Sequence, residues 1–232
     1  MAFRGRFMEQ SEKASSVVEF YMMCNKLKKL IRTGWVDWNV KADRLESVAE
    51  HIYGVQMLAL AMKSQFGYEN VDMSKVIMML AVHELEEILI GDLTLFQISK
   101  EEKDLIGHEA VSKVLHGLIQ KDKIQSLIME FNERKTDEAK FAYQCDKLEC
   151  DLQSKVYDTE NNIPLDAESQ INNSAFLNAE VQALLAEGKS FSEMWMHFGR
   201  NKYPYDDNFR SVSLTAEKMN LKDLSQNDLT KE

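Results

Sequence analysis

Met78–Asp92, MMLAVHELEEILIGD, is the stretch whose reading decides the fold. It sets His83, Glu84, Glu86, Glu87 and Asp92 into an otherwise apolar run. Wound as a helix at about 100° per residue, His83, Glu84, Glu86 and Glu87 share one arc. One or two turns earlier that arc carries Val76, Ile77, Met79 and Leu80. A solvated face would be polar along its whole length, so this one runs through the interior and opens on a buried polar site. Ionised carboxylates taken from water without partners cost more than a fold can supply. A positive group is therefore expected among them, and a metal ion is the simplest.

The rest of the composition supports helices around such a site. The chain has 232 residues, 44% of them hydrophobic, with only two prolines and nine glycines. That is enough to fill one core, with too little punctuation for a many-turned β fold. The net charge of −10 argues against a nucleic-acid or anionic-membrane surface as the main partner. Cys24, Cys145 and Cys150 are odd in number and form no C-x-x-C pair, which suits reduced thiols in a cytoplasmic protein. No apolar run reaches membrane-spanning length, and the first residues lack the apolar core of a signal peptide.

In order, an amphipathic helix is expected from Ser15 to Ile31, a stop at Gly34, and a loop over Val36–Leu45. Ser47 and Glu50 form a capping box for a helix running to about Gln65, with His51 on its apolar arc. The central helix starts at Asp72 or Ser74 and closes at Gly91. Helices follow over Ser99–Ile119, Lys121–Phe131, Thr136–Asp158, Asp166–Glu187 and Phe191–Phe198. The expectation is an all-α bundle of about eight helices with no sheet. A mobile N-terminus would occupy 1–14, the helical domain 15–215, and a polar frayed tail 216–232.

Histidine with carboxylates suits a divalent ion such as Mn, Fe, Co, Ni or Zn. The zinc-protease pattern H-E-x-x-H fails, because Glu87 stands where the second histidine is needed. A different comparison fits. Arg32-Thr-Gly-Trp35, Glu46-Ser-Val-Ala-Glu-His51, His83-Glu84-x-x-Glu87-x-x-x-Gly91-Asp92 and Asp146-Lys-Leu-Glu resemble, in that order, the HD-domain metal-dependent phosphohydrolases. Within them the chain is most similar to the 5′-deoxynucleotidase branch, over residues 26–158. That family is all-α and sets His … His-Asp … Asp on separate helices around one divalent metal.

The resemblance implies that His51, His83 and Asp146 are metal ligands, with Glu84 at the fourth position. It makes Glu87 the residue that activates or orients the attacking water. Asp92 would contact the sugar, and Arg32 and Trp35 would lie against the nucleotide. The implied reaction is removal of the 5′-phosphate from nucleoside monophosphates, deoxyribose forms preferred. It implies a homodimer as well, with the helices after Ser99 available as its surface. One departure stands out: the family has Asp directly after the second histidine, and this chain has Glu84. A chain that binds nucleotide without turning it over is therefore an alternative, and a plain helical interaction module is another.

Taken without the resemblance, several of these residues have plainer readings. His51 would be a core histidine bonded to a carbonyl, and Asp92 a helix cap. Asp146 lies off the Phe141–Val156 apolar stripe and would be surface. Glu86 reads as exposed or supporting, Trp38 as core, and His108, His116 and His197 as structural or surface.

Overall fold

The computed structural model describes residues 2–94 and 97–226. Among them it contains twelve α-helices, one 3-10 turn and no strand. An isolated antiparallel bridge joins Ile31 to Ser47. None of these helices is long and apolar enough to cross a membrane.

Helix α1 (Ala2–Cys24) runs into a 3-10 turn over Asn25–Lys28. A short α2 (Thr33–Asp37) precedes α3 (Val48–Phe66), whose capping box is formed as the sequence predicts. Ser47 Oγ accepts from the Glu50 amide at 3.3 Å and Glu50 Oε2 accepts from the Ser47 amide at 2.8 Å. Asp72 caps α4 (Met73–Val82) through the amides of Ser74 and Lys75. After the turn His83–Glu86 comes α5 (Glu87–Ile90), ended by Gly91 at φ 79°, which glycine adopts without steric cost. There follow α6 (Lys100–Val114), α7 (Lys121–Glu133), α8 (Asp137–Thr159), α9 (Ala179–Ala186), α10 (Phe191–Lys202), α11 (Asp207–Lys218) and α12 (Leu221–Gln226).

The organising element is α8, against which α3, α4, α7, α10 and α11 all pack. The largest core cluster sits there, with Val55 and Met62 of α3, Met79 and Leu80 of α4, Phe141 and Leu148 of α8 and Phe209 of α11. A second cluster joins Trp35, Trp38, Tyr157, Phe191 and Met194. A third joins Leu27, Val48, Leu85, Val111, Leu115 and Ile128.

Several expectations need correction. The bundle has more helices than eight, because short helices are separated by turns that a periodicity window merges. The central helix is not continuous to Gly91: it leaves α-geometry at His83–Glu86, where His83 is the C-cap of α4. The first helix begins at Ala2, and its expected end at Ile31 is replaced by the 3-10 turn. Within Asp166–Glu187 only Ala179–Ala186 is α-helical; Gln170 and Asn173, both buried, hold the preceding turns by side-chain hydrogen bonds. The tail expected from Ala216 is helical through α11 and α12 as far as Gln226, with Ala216 buried; residues 227–232 lie outside the described residues.

Candidate active site

Two helices and one turn bring the ligand candidates together. His51 lies in the first turns of α3, Asp146 in the middle of α8, and His83 and Glu84 at the break after α4. Each of these four offers a ligand atom, and the atoms lie within 4.8 Å of one another. His51 Nε2 is 3.3 Å from Asp146 Oδ1 and 3.7 Å from Glu84 Oε1, which is 3.4 Å from His83 Nε2. The ring centroids of His51 and His83 are 5.6 Å apart.

Both imidazoles are oriented from behind. Glu149 Oε2 is 2.6 Å from His51 Nδ1, and the carbonyl of Leu80 accepts from His83 Nδ1 at 2.8 Å. With Nδ1 as donor in each ring, Nε2 is left with its lone pair toward the cluster. His51 Nε2, His83 Nε2 and Asp146 Oδ1 are all buried with no hydrogen-bond partner. Buried polar atoms of this kind are rare in native proteins. Two imidazole nitrogens and two carboxylate oxygens converging at this spacing fit a divalent ion. The additional methylene of Glu84 does not remove its carboxylate from the cluster.

Electrostatics tune these groups in opposite directions. Burial pushes Glu84 up, but His83 and Arg32 outweigh it and hold the carboxyl at about 2. Asp146 is likewise raised by burial and brought well below the usual range by Lys147 and His51. Burial and Arg32 pull His51 down, but the carboxylates of Asp146 and Glu149 beside its two ring nitrogens outweigh them and bring it up to about 9. A bound ion would take the place of that proton. Burial lowers His83, which suits a neutral ligand.

A cavity of about 510 Å³ opens over this cluster. Glu87, from the first turn of α5, lines it and is pushed well above the carboxylate range by burial, Glu84 and Asp92. Its Oε1 lies 3.4 Å from Lys103 Nζ of α6, and its Oε2 is buried and unpartnered. Glu86, half-buried, lines the cavity too and is pushed up to about 7, chiefly by burial and Glu84.

Arg32 lies beside the cluster, with Nη1 3.4 Å from Glu84 Oε1, Nε 3.8 Å from Asp92 Oδ2 and Nη2 donating to Cys150 Sγ at 3.4 Å. Asp92 accepts from the Thr33 amide at 2.7 Å and so caps α2 from a distant part of the chain. Trp35 is 2% exposed, and its indole N–H donates to Glu46 Oε2 at 2.7 Å. It packs on Tyr157 and Trp195 and also lines the cavity.

Sequence reasoning gave no role to Glu149, Lys103, Lys147 or Arg134. Glu149 had a signal, since it follows Asp146 by three positions and so shares its helix face. Lys147 stands inside the Asp146-Lys-Leu-Glu motif, while Lys103 and Arg134 carried no signal, because nothing local distinguishes a cavity-facing cation from a solvated one.

Fold and site together define an all-α metalloprotein whose buried His/His/carboxylate cluster borders a cavity lined by both acids and cations. The model of the HD domain matches residues 24–202. The chain belongs to the HD-domain family. It is 35% identical over 173 residues to a 5′-deoxynucleotidase HDDC2 of Dictyostelium discoideum, covering 71% of this chain and 88% of that one. Similarity to the Homo sapiens 5′-deoxynucleotidase HDDC2 is 30% over 148 residues, 62% of this chain and 70% of the other. Among solved structures, the PH0347 protein of Pyrococcus horikoshii OT3 superposes with a TM-score of 0.55 at 26% identity, covering 80% of this chain and 99% of that one.

Proposed function

We propose that this protein is a metal-dependent phosphomonoesterase that removes the 5′-phosphate of nucleoside monophosphates, deoxyribose forms first. The observation that carries the reading is the convergence of three unpartnered buried atoms, His51 Nε2, His83 Nε2 and Asp146 Oδ1, with the Glu84 carboxylate. The 5′-deoxynucleotidases among its relatives supply the substrate class. They also weigh against a chain that only binds nucleotide, the alternative that Glu84 raised.

His51, His83, Glu84 and Asp146 would hold the ion, one of Mn, Co, Fe, Ni or Zn. When bound, a divalent ion supplies positive charge against a phosphoryl oxygen and acidifies water toward neutral pH. Glu87, its basicity raised by burial and neighbouring acids, takes or positions a proton of the attacking water. Lys103 keeps one oxygen of Glu87 fixed, so the other points to its task. Arg32, held between Glu84 and Asp92, is placed to meet phosphate oxygens by charge-assisted hydrogen bonds. Asp92 contacts the sugar, and Trp35 lies against the nucleotide. Uncatalysed monoester hydrolysis is so slow that positioning and charge neutralisation supply most of the rate.

Residues 15–215 form the working unit in this reading. It acts in the cytoplasm on small nucleotides, with no nucleic-acid partner, as the net charge of −10 favours. It is also a homodimer: Val17, Val18 and Tyr21 on α1 and Leu105 on α6 are exposed apolar side chains that a second copy would cover. Light scattering checks that point.

The test is phosphate release from a panel of ribo- and deoxyribonucleoside monophosphates by metal-loaded protein. The reading expects turnover that Glu87→Ala abolishes. It is overturned if no nucleotide is hydrolysed and the Glu87→Ala protein behaves as the wild type does.

A further inference from the structure

One wall of the cavity carries charge that the four ligand residues do not account for. Arg134 closes α7 in the left-handed region, at φ 54°, and lays its guanidinium 3.8 Å over the ring of Tyr143. Its Nε is buried and has no hydrogen-bond partner. Lys147 Nζ stands 5.3 Å from the same ring and 5.8 Å from that of Tyr203. It also lies 2.9 Å from Asp146 Oδ2, the carboxylate oxygen that does not face His51. Lys202, at the end of α10, sits 5.1 Å from the ring of Phe198. Burial and the charge of Lys147 hold its ammonium below the ordinary lysine range. All three cations line the cavity.

Among the described residues, Lys147 with Asp146 is the single ion pair in this group. That carboxylate is already engaged with the ligand cluster. Gathering like charges is unfavourable where Arg134 and Lys147 are half-buried, with the exposed Lys202 beside them, and a chain of net charge −10 has acids available to neutralise them. The aromatic faces recover only part of the cost.

We propose that Lys147, Arg134 and Lys202 form an anion subsite beside the ion's position, a second grip on the phosphoryl oxygens in addition to Arg32. The ligand class is a phosphate dianion, free or as a monoester. Lys147, which touches Asp146, makes the closest contact; Arg134 and Lys202 extend the wall outward. The proposal rests on the phosphatase reading above for its substrate, and on the grouping of the three cations for its site.

The experiment is calorimetric titration of inorganic phosphate into manganese-loaded wild type, Lys147→Met, Lys147→Arg, Arg134→Met and Lys202→Met, with manganese content measured on each sample. We expect Lys147→Met to weaken phosphate binding at least about tenfold at unchanged manganese content, with Lys147→Arg regaining most of it. Arg134→Met and Lys202→Met should each weaken it about threefold. Phosphate affinity within about twofold of wild type in Lys147→Met overturns the proposal, as does a loss that only follows loss of manganese. Should Lys147→Met fail to fold, the other two variants decide alone, since neither residue touches Asp146. Wild type that hydrolyses nucleotides while every variant binds phosphate normally sinks the subsite and leaves the phosphatase reading standing. Phosphate binding that depends on these side chains, in a protein without turnover, does the reverse.

Discussion

Glu149 Oε2 lies 2.6 Å from Nδ1 of His51, across the contact between α3 and α8. This bond fixes the imidazole tautomer and presents Nε2 to Asp146 and Glu84. Supporting carboxylates of this kind typically contribute about 10–100-fold to metal affinity. Glu149→Gln, which keeps shape and an acceptor, should weaken manganese binding about tenfold, and Glu149→Ala by more. Competition with a metal indicator dye measures both.

Gly54 stands one turn beyond His51 on α3, where a Cβ would come within 2.6 Å of Glu149 Oε1. In a helix interior, Gly→Ala ordinarily stabilises by about 1 kcal/mol. The atom in the way here is the far end of a flexible side chain, so Gly54→Ala should leave the fold at least as stable as before. Its effect is to push Glu149 off His51. We expect an unchanged or higher Tm together with metal affinity reduced about tenfold, a combination that a merely damaged core would not give.

Glu87 is the residue expected to handle the proton of the attacking water. Glu87→Gln keeps the volume and removes the base, so kcat should fall about 10²–10⁴-fold with metal content unchanged. Lys103→Met leaves Glu87 in place but unanchored, and should lower kcat by a smaller factor, about tenfold, with little change in KM. Steady-state kinetics on one deoxynucleotide separates the two.

Away from the site, Asp151 of α8 is fully buried against Gly199, where a Cβ would come within 2.8 Å of its Oδ1. Tyr205 donates to Oδ2 at 3.0 Å and Oδ1 has no partner. Burial holds this carboxyl well above its ordinary 3.8, outweighing Tyr205 and Arg200. The folded state therefore keeps a proton that the unfolded state releases above that pH. Stability falls as pH rises from about 4 until the folded carboxyl itself ionises. Asp151→Asn removes the titration while keeping the acceptor for Tyr205. Its Tm should exceed that of the wild type at pH 8 by a few degrees, on the order of 1 kcal/mol, and the gap should shrink toward pH 4.

The site was more legible in the sequence than the topology was. The apolar arc leading to His83 marked a buried polar cluster, and the Ser47/Glu50 capping box placed α3 with His51 on its inner face. Asp146 is the instructive case. Periodicity puts it off the Phe141–Val156 stripe and assigns it to the surface, yet it is 3% exposed, while Val156 on the stripe is 37% exposed. The cause is that α8 is packed on most of its circumference, so its buried set includes Gln144, Asp146, Glu149, Asp151 and Ser154. An apolar stripe reports burial only for a helix with one face on the core.

The break at His83–Glu86 was hidden for a related reason. His83, Glu84 and Glu87 are all buried, as an inward arc requires, but the turn after α4 presents the first two and the start of a separate helix, α5, the third. Helical spacing and this turn predict the same buried positions. The turns over 166–178 depend on Gln170 and Asn173 reaching Trp38, Pro164 and the amides of Ala175 and Phe176. Contacts as distant as that of Gln170 with Trp38 leave no local trace.

The central claim is that residues from α3, α8 and the turn after α4 share one ion. Elemental analysis of wild type, Asp146→Ala and His83→Ala, prepared alike and checked for helical content by circular dichroism, tests it most directly. The account predicts one divalent ion per wild-type chain and little or none in either folded variant. Equal metal content in all three, or none in the wild type after loading with manganese, cobalt, iron, nickel or zinc, would contradict it.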